Sequence, residues 1–471
     1  MRRFLKIILF VSYLFLIWSC QKEEFISSKN AKLSFSNDTV LFTVKNPHDE
    51  TIKIKSISLA NGENSNFRLN INGNLINKLS DVEIYGKDSI YIFVEVTLNP
   101  NDKKEPFVHQ DSVVFLTNGN LQDVDLVAWG QNVHLINGQN ESGIIKTQTW
   151  TNDKPYLVYN SMLVDSLETL TIEKGTEIYF HKSSSMLVAG NIKVNGTLEE
   201  PVIFQGDRLE KMYEDLPGQW GTIVFLEGSN NNEIDFAEIK NAEVGLQIGT
   251  LNGIANGLTN PNVLIKNTKI SSMSYAGISA LRSYIYAYNC LITNCGFYGV
   301  SLIIGGIYEF NHCTIANYWS FSNRTEPAVA ISNYYNYSSE NQEDIYFSGN
   351  LEKAIFGNCI IYGDKNGEIG FARDENLDFN YKFINSIMKI SYFPDDTTDL
   401  NYFENCFFNK NPEFISIYED ENYELDTLSF AKDKGKLEIS NNFPLDLNGN
   451  NRLEDEQSDL GAFERIEKKE F

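Results

Sequence analysis

One short motif constrains this chain more than any other feature: Asn, a small residue or Cys, any residue, then an aliphatic or aromatic one. It runs Asn241-Ala-Glu-Val, Asn267-Thr-Lys-Ile, Asn289-Cys-Leu-Ile, Asn358-Cys-Ile-Ile, Asn385-Ser-Ile-Met and Asn405-Cys-Phe-Phe. His312-Cys-Thr-Ile fills the same slot with His for Asn. The successive spacings are 26, 22, 23, 46, 27 and 20 residues. The 46 reads as two turns of 23, with one motif obscured between Asn317 and Asn350. A second ladder, Gly277-Ile278 and Gly299-Val300, keeps a step of 22. Self-similarity at a fixed period of this size marks a solenoid.

The segments between motifs choose among solenoids. GTEIYF, MLVAG, NIKVNG, PVIFQG and GTIVFL are short strands, and no apolar stripe at helical spacing persists for ten residues. The leucine-rich pattern is missing too. A right-handed parallel β-helix fits, because each coil rises one strand spacing, ~4.8 Å, and stacks equivalent side chains directly. Asn suits the inner turn, since it tolerates the left-handed conformation and can bond its own backbone and the rung above. The small residue then packs inward. Cys290, Cys313, Cys359 and Cys406 all occupy that position, which favours buried packing over disulfides; Cys295 is the fifth thiol beyond Cys20. At ~23 residues per coil, about 280 residues give roughly 12 coils.

Upstream the pattern changes. Ile90, Ile92, Val94, Val96 and Leu98 alternate with more polar residues, as a half-buried strand does, and Asn72-Gly73 and Asn118-Gly119 mark tight turns. Roughly seven short strands in about 100 residues read as a β-sandwich. The ending AWGQN resembles that of small immunoglobulin-like domains that precede larger modules in secreted bacterial proteins. The expected organisation is therefore all-β: a sandwich over 31–133, a linker over 134–146, and the β-helix with a C-terminal cap over 147–466.

The N-terminus speaks to address. Arg2, Arg3 and Lys6 precede an apolar run, Ile7 to Trp18, that is short for a membrane span and stops at Ser19-Cys20. This resembles the lipobox of bacterial lipoproteins, which implies removal of 1–19, lipidation of Cys20 and a tether over 20–30. Gln21, Lys22, Glu23 and Glu24 resemble the export signal of Bacteroidota surface lipoproteins. The resemblance implies an outer-membrane anchor with the protein facing the exterior. The net charge of −24, less the three positive charges of 1–19, leaves −27. That balance disfavours nucleic acid, anionic lipid headgroups and, in bulk, acidic polysaccharide as partners.

The stretch PVIFQGDRLEKMYEDLPGQWGTIVFLEGSNNNEIDFAEIKNAEVG resembles the middle of right-handed β-helix proteins common among Bacteroidota lipoproteins, pectate-lyase-like in fold. DLNGNNRLEDEQSDLGAFER, from Asp446, resembles the closing segment of many such domains. The resemblance implies a fold over roughly 145–466 and leaves the activity open.

Chemistry is harder to find. A lyase would need acids holding Ca²⁺ beside an Arg or Lys base, and a hydrolase a tight set of carboxylates on consecutive coils. Neither constellation is visible. Asp395-Asp396 lies in a turn with no His after it, and His312 replaces a ladder Asn. Asp446, Asn448 and Asn450 imitate the start of a Ca²⁺ loop, but Asn451 and Gln457 stand where Gly and Glu are needed, so a turn is expected. Two segments offer ligand-facing aromatics: the charged loop from Asp207 to Trp220, and an excursion at 318–337 with Tyr318, Trp319, Arg324, Tyr334 and Tyr335. Trp220 could equally be core. Asp-Ser/Thr-aliphatic triplets, among them Asp426-Thr427-Leu428, resemble the O-glycosylation motif of Bacteroidota exported proteins. The expected function is non-catalytic binding of a polysaccharide or a host or surface protein, without cofactor or metal. The alternative is a polysaccharide lyase or glycoside hydrolase working in the groove of the helix.

Overall fold

The structure, a computed structural model, describes residues 34–35, 41–97, 107–130, 132–251, 262–339, 342–392, 395–418, 421–454 and 456–467. Cys20 and the Gln21–Glu24 signal lie outside the described residues. The chain divides into two compact units, 1–132 and 133–471.

The N-terminal unit is a β-sandwich of two antiparallel sheets. One orders Ser34–Phe35, Leu41–Lys45, Ser89–Val96, Phe67–Ile71 and Asn74–Leu75; the other orders Lys78–Ile84, Ile52–Leu59, Phe107–Thr117 and Asn120–Gly130. Alternation puts Ile52, Ile54, Ile57, Leu59, Ile90 and Ile92 into one core with Phe42 and Phe115. The alternation fades along its last strand: Val94 is half-buried and Val96 exposed, and Leu98 lies outside the described residues. The turns Asn72-Gly73 and Asn118-Gly119 have φ of 48° and 87°, and 52° and 82°, the left-handed pair that two-residue hairpins require.

The second unit is a parallel β-helix. An eleven-stranded parallel sheet runs from His134–Asn137 to Phe407–Phe408, and a seventeen-stranded sheet supplies the other two faces of each coil. Stacking in register builds continuous inward columns. One runs Val194, Ile234, Ile265, Ala287, Phe310, Phe356, Phe383, Phe403. Its phenylalanines stack with centroids 5.0 Å apart at the Phe310–Phe356 and Phe356–Phe383 steps. The segment expected as a linker, 134–146, already belongs to this unit. His134–Asn137 pairs with Tyr156–Tyr159, and Ile144–Ile145 with the strand Met162–Val164. Its strands are too short to announce themselves by alternation.

The ladder turns lead from the third face of one coil to the first face of the next. Asn267, Asn289, His312, Asn358, Asn385 and Asn405 stand at these turns with positive φ, between 44° and 51°. Asn241, expected in the same ladder, instead follows the first-face strand Ala237–Lys240 and turns the chain toward the second face. Phe236 (φ 45°) holds the ladder place in its coil. Side chains bond along the ladder: Asn289 Nδ2 donates to Asn267 Oδ1 at 3.1 Å, and Asn267 Nδ2 to Asp235 Oδ1 at 2.9 Å. Beneath them Cys290, Cys313 and Cys359 are buried, Cys406 is half-buried, and all five described thiols are free. Burial holds Cys290 and Cys359 protonated and pushes Cys295 up to about 12. Gly277 and Gly299 form the second ladder because a Cβ at either would come within 2.6 or 2.8 Å of Ile292 or Ile315.

Two expectations are corrected. The 46-residue spacing is one swollen coil, not two turns: Thr314–Asn317 pairs directly with Ile360–Gly363, and Asn358 lies 3.0 Å from His312. The extra length is a loop at 318–328 and an antiparallel hairpin, Tyr334–Ser339 with Gln342–Ser348. Counting strands of the first face then gives eleven coils rather than about twelve.

The C-terminal segment is also not an end cap. It folds back along the first face, over the central coils. Asn289 donates to Leu445 O at 2.8 Å, Asn358 to Lys436 O at 3.2 Å, and Asn385 to Lys434 O at 2.9 Å. The outward side chains Leu291 and Ala316 pack with Leu447, Ala462 and Phe463, and Ile360 and Ile387 with Leu425, Ala431 and Leu460. Those outward apolar residues would otherwise form a wet hydrophobic stripe. Asp446 accepts from the backbone N–H of Asn448, Asn450 and Glu464, so it closes a turn.

Candidate functional site

The corner that leads from the first face to the second carries a pair of exposed aromatic rings in contact. Each coil there turns from an inward residue through one or two outward ones before the next strand. Tyr275 and Phe297 occupy this place in successive coils. Because coils stack one strand spacing apart, the two rings meet with centroids 5.0 Å apart. Both stay accessible, at 43% and 42%. Tyr298 presents its edge to Tyr275 at 6.0 Å.

In the next coil the corner expands into the 318–328 loop, and Glu326 arrives three positions before Val329, as Phe297 does before its partner Val300. Tyr335, on the hairpin of that same swollen coil, is near enough to act electrostatically on the Tyr275 phenol. Burial, followed by the nearby Tyr335 and Glu326, raises the Tyr275 phenol above its ordinary value. Burial and then Glu326 raise that of Tyr298 further. Both phenols are therefore neutral hydroxyls at any physiological pH, beside a carboxylate. Such a corner offers ring faces for stacking, hydroxyls that donate or accept, and one strong acceptor.

The loop is pinned from below. The Arg324 guanidinium, 2% exposed, donates to the Glu368 carboxylate at 2.6 and 2.8 Å and to the carbonyls of Glu326 and Asn317 at 2.7 and 3.0 Å. Asp364 also accepts from it. Glu368 further accepts from the Ala328 N–H at 2.9 Å. Arg324 therefore shapes the loop and is not free to meet a ligand, which corrects its expected role.

The other expected ligand residues scatter. Trp220 is fully enclosed, stacked on Phe180 at 4.2 Å, with Nε1 donating to Lys240 O at 2.9 Å. It is core. Trp319 is buried behind the corner, its Nε1 donating to Ser322 Oγ at 2.8 Å, with the exposed Phe321 ring 5.1 Å away. The excursion therefore does not protrude as a whole: residues 320–323, Thr325 and the hairpin's Tyr335 and Tyr337 are exposed, while Trp319 and Arg324 are buried. On that hairpin Tyr334 is half-buried and stacks on Tyr346 at 5.8 Å, and Tyr346 Oη donates to Asp374 at 2.6 Å. Tyr318 lies apart, beside an open cleft that the C-terminal segment borders.

The corner residues Tyr275, Phe297, Tyr298 and Glu326 were missed in the sequence, although a signal existed. SYAGI and GFYGV place aromatics at the same offset before the paired Gly277-Ile278 and Gly299-Val300. Among the described residues, no group of three His, Cys, Asp or Glu side chains is placed to hold a metal ion.

Comparison with known proteins bears on the fold. Residues 142–252 match the family model described as a pectate-lyase like beta helix domain. The matched stretch covers the early coils and stops short of the aromatic corner. No curated protein matches the chain. The Agl-KA catalytic domain is 12% identical over 80% of each chain, with a TM-score of 0.24. The catalytic domain of a GH87 alpha-1,3-glucanase in complex with nigerose is 10% identical over 76% of this chain and 83% of that one, with a TM-score of 0.18. Scores this low carry no argument about the site.

Proposed function

We propose that this protein is a lipid-anchored surface protein that binds a neutral glycan along the aromatic corner of its β-helix, without cleaving it. The observation that carries the reading is the ring pair Tyr275–Phe297, open to solvent and flanked by Tyr298, Tyr335 and Glu326. Sugar rings stack on such faces through their C–H bonds, and their hydroxyls need acceptors such as a carboxylate. Neutral polymer is favoured over uronate because the charged groups at the corner are acidic: Glu326, and the exposed Glu243 in register with Tyr275 one coil earlier. The loop's Arg324 is neutralised by Glu368 and Asp364, and the chain carries −24 overall. Lipidation at Cys20 and export directed by Gln21–Glu24 would hold this corner at the outer face of the outer membrane.

The test is a glycan array of plant, algal and host polymers on residues 25–471, with cleavage followed by reducing ends and by absorbance of unsaturated products. Binding of neutral polymers that is lost in Tyr275→Ala/Phe297→Ala supports the reading. Cleavage of any polymer would overturn its non-catalytic part. Silence across the array would instead favour a host or surface protein as the partner. Palmitate labelling that survives Cys20→Ser would overturn the anchor.

A further inference from the structure

The C-terminal segment borders, beside Tyr318 of the solenoid, an open cleft of about 360 Å³. Its apolar walls are the rings of Tyr318 and Phe414 with the side chains of Ile417 and Leu428; its charged groups are Glu413 and Asp426. Tyr318 is held in place by Tyr423 (centroids 6.3 Å) and Tyr418 (6.4 Å), and Phe414 by Tyr423 (5.3 Å). The rings are thus fixed before any ligand arrives.

Among the described residues, no Lys or Arg lines this cleft. Among the described residues, neither Glu413 nor Asp426 has a basic side chain within 4.0 Å; Asp426 Oδ1 accepts only the Leu428 N–H, at 3.3 Å. The nearest basic side chains bond to the neighbours of Asp426 and not to its carboxylate: Arg465 donates to Leu425 O and Thr427 Oγ1 at 2.7 Å and Lys432 to Thr427 O at 3.3 Å. Both also pair with Glu467, and Lys410 lies over the Phe430 ring at 5.6 Å. Two carboxylates without a direct ion pair, beside two aromatic rings held by their neighbours, make a partly apolar cup lined by acidic side chains alone among its charged groups. That combination stabilises an organic cation: the ring quadrupoles and the carboxylates attract the charge, and the apolar walls accept its carbon body.

We infer that this cleft binds an ammonium-bearing ligand, either an amino sugar or a choline-type headgroup. The site is independent of the glycan reading at the Tyr275–Phe297 corner, and its ligand differs in charge. The volume accommodates one compact head with part of its attached chain, not a polymer.

The full chain is titrated, following tyrosine fluorescence and ligand-observed NMR, with choline and with its neutral isostere 3,3-dimethylbutan-1-ol. Glucosamine and glucose form the second pair. At least one cation should bind, about tenfold or more tighter than its neutral partner, as cation–π contact with carboxylate attraction requires. Which pair discriminates identifies the source. Glu413→Gln/Asp426→Asn should abolish the preference and leave circular dichroism unchanged, because both residues sit at an open rim. Tyr275→Ala should leave it intact, which separates this site from the corner. Equal binding of cation and isostere, or no binding by either pair, would overturn the inference.

Discussion

The early and the central coils of the solenoid share one period but solve different problems. In the early strands Tyr156–Tyr159, Thr169–Glu173, Asn191–Asn195 and Val202–Gly206 buried side chains alternate with more exposed ones, so their outward side chains meet solvent. Only Tyr179 of Glu177–Phe180 breaks the pattern among the described strands from Tyr156 to Gly206. At Leu291–Cys295 and Thr314–Asn317 every residue is buried. There the C-terminal segment lies on the outside, and the adjoining coil swells to carry the pinned loop and the hairpin. Both candidate sites belong to this elaborated half, and the family match, at 142–252, belongs to the plain one. Repetition builds the shaft; departures from it build the places where something can bind.

If that contrast is right, the loop anchor matters most. Arg324→Met strands the Glu368 carboxylate, whose side chain is fully buried, and should cost about 3–5 kcal/mol in the unfolding transition of the solenoid. Arg324→Met/Glu368→Leu should recover much of this in chemical denaturation. In the early coils, Lys174→Ala removes an exposed partner of Glu200 and should not move the melting temperature measurably. Equal effects in the two halves would dissolve the comparison.

Next comes pH. Glu464 of the C-terminal segment is raised from the ordinary glutamate range to about 8, first by burial and then by neighbouring Asp459, despite Arg452 at 3.5 Å. Its unfolded carboxyl titrates near 4.5, so the folded state binds the proton more tightly. The stability this contributes is full below about pH 4.5 and is lost as pH rises through 8. Thermal scans between pH 5 and 9 should show a falling melting temperature, flattened in Glu464→Gln. A rising melting temperature over that window would contradict the assignment.

A smaller effect separates the ladder positions. Asn267 and Asn358 share the left-handed conformation, so replacement by Gly costs neither any strain. Asn358 also accepts the Lys436 N–H at 2.8 Å and donates to Lys436 O, bonds to the C-terminal segment that Asn267 lacks. Asn358→Gly should therefore be less stable than Asn267→Gly by about 1 kcal/mol, read from denaturant midpoints. At the corner itself the change in binding should exceed the change in stability. Tyr275→Ala/Phe297→Ala removes two half-buried rings in mutual contact and should cost about 1–3 kcal/mol without unfolding the solenoid, while abolishing glycan binding.

Much of the architecture was legible because its causes are local. A left-handed turn residue every coil, a small residue beneath it and short alternating strands are set within a few positions of one another, so the Asn ladder and the sandwich alternation could be read directly. The reading erred where contacts are distant. Trp220 looks the same whether it faces a sugar or Phe180. Nothing near Arg324 announces Glu368, 44 residues away. The 46-residue gap has the arithmetic of two coils but the hydrogen bonds of one.

The sequence by itself determined the period, the conformation of the ladder turns from Asn267 to Asn405 and the two-part all-β organisation, since each follows from residue preferences acting over a single coil. Only the tertiary structure decided that the C-terminal segment lies along the central coils, that Arg324 is an anchor, and that Tyr275, Phe297, Glu326 and Tyr335 converge. Those outcomes depend on which coils become neighbours and which outward apolar residues need cover, and stacking settles that across the whole solenoid at once.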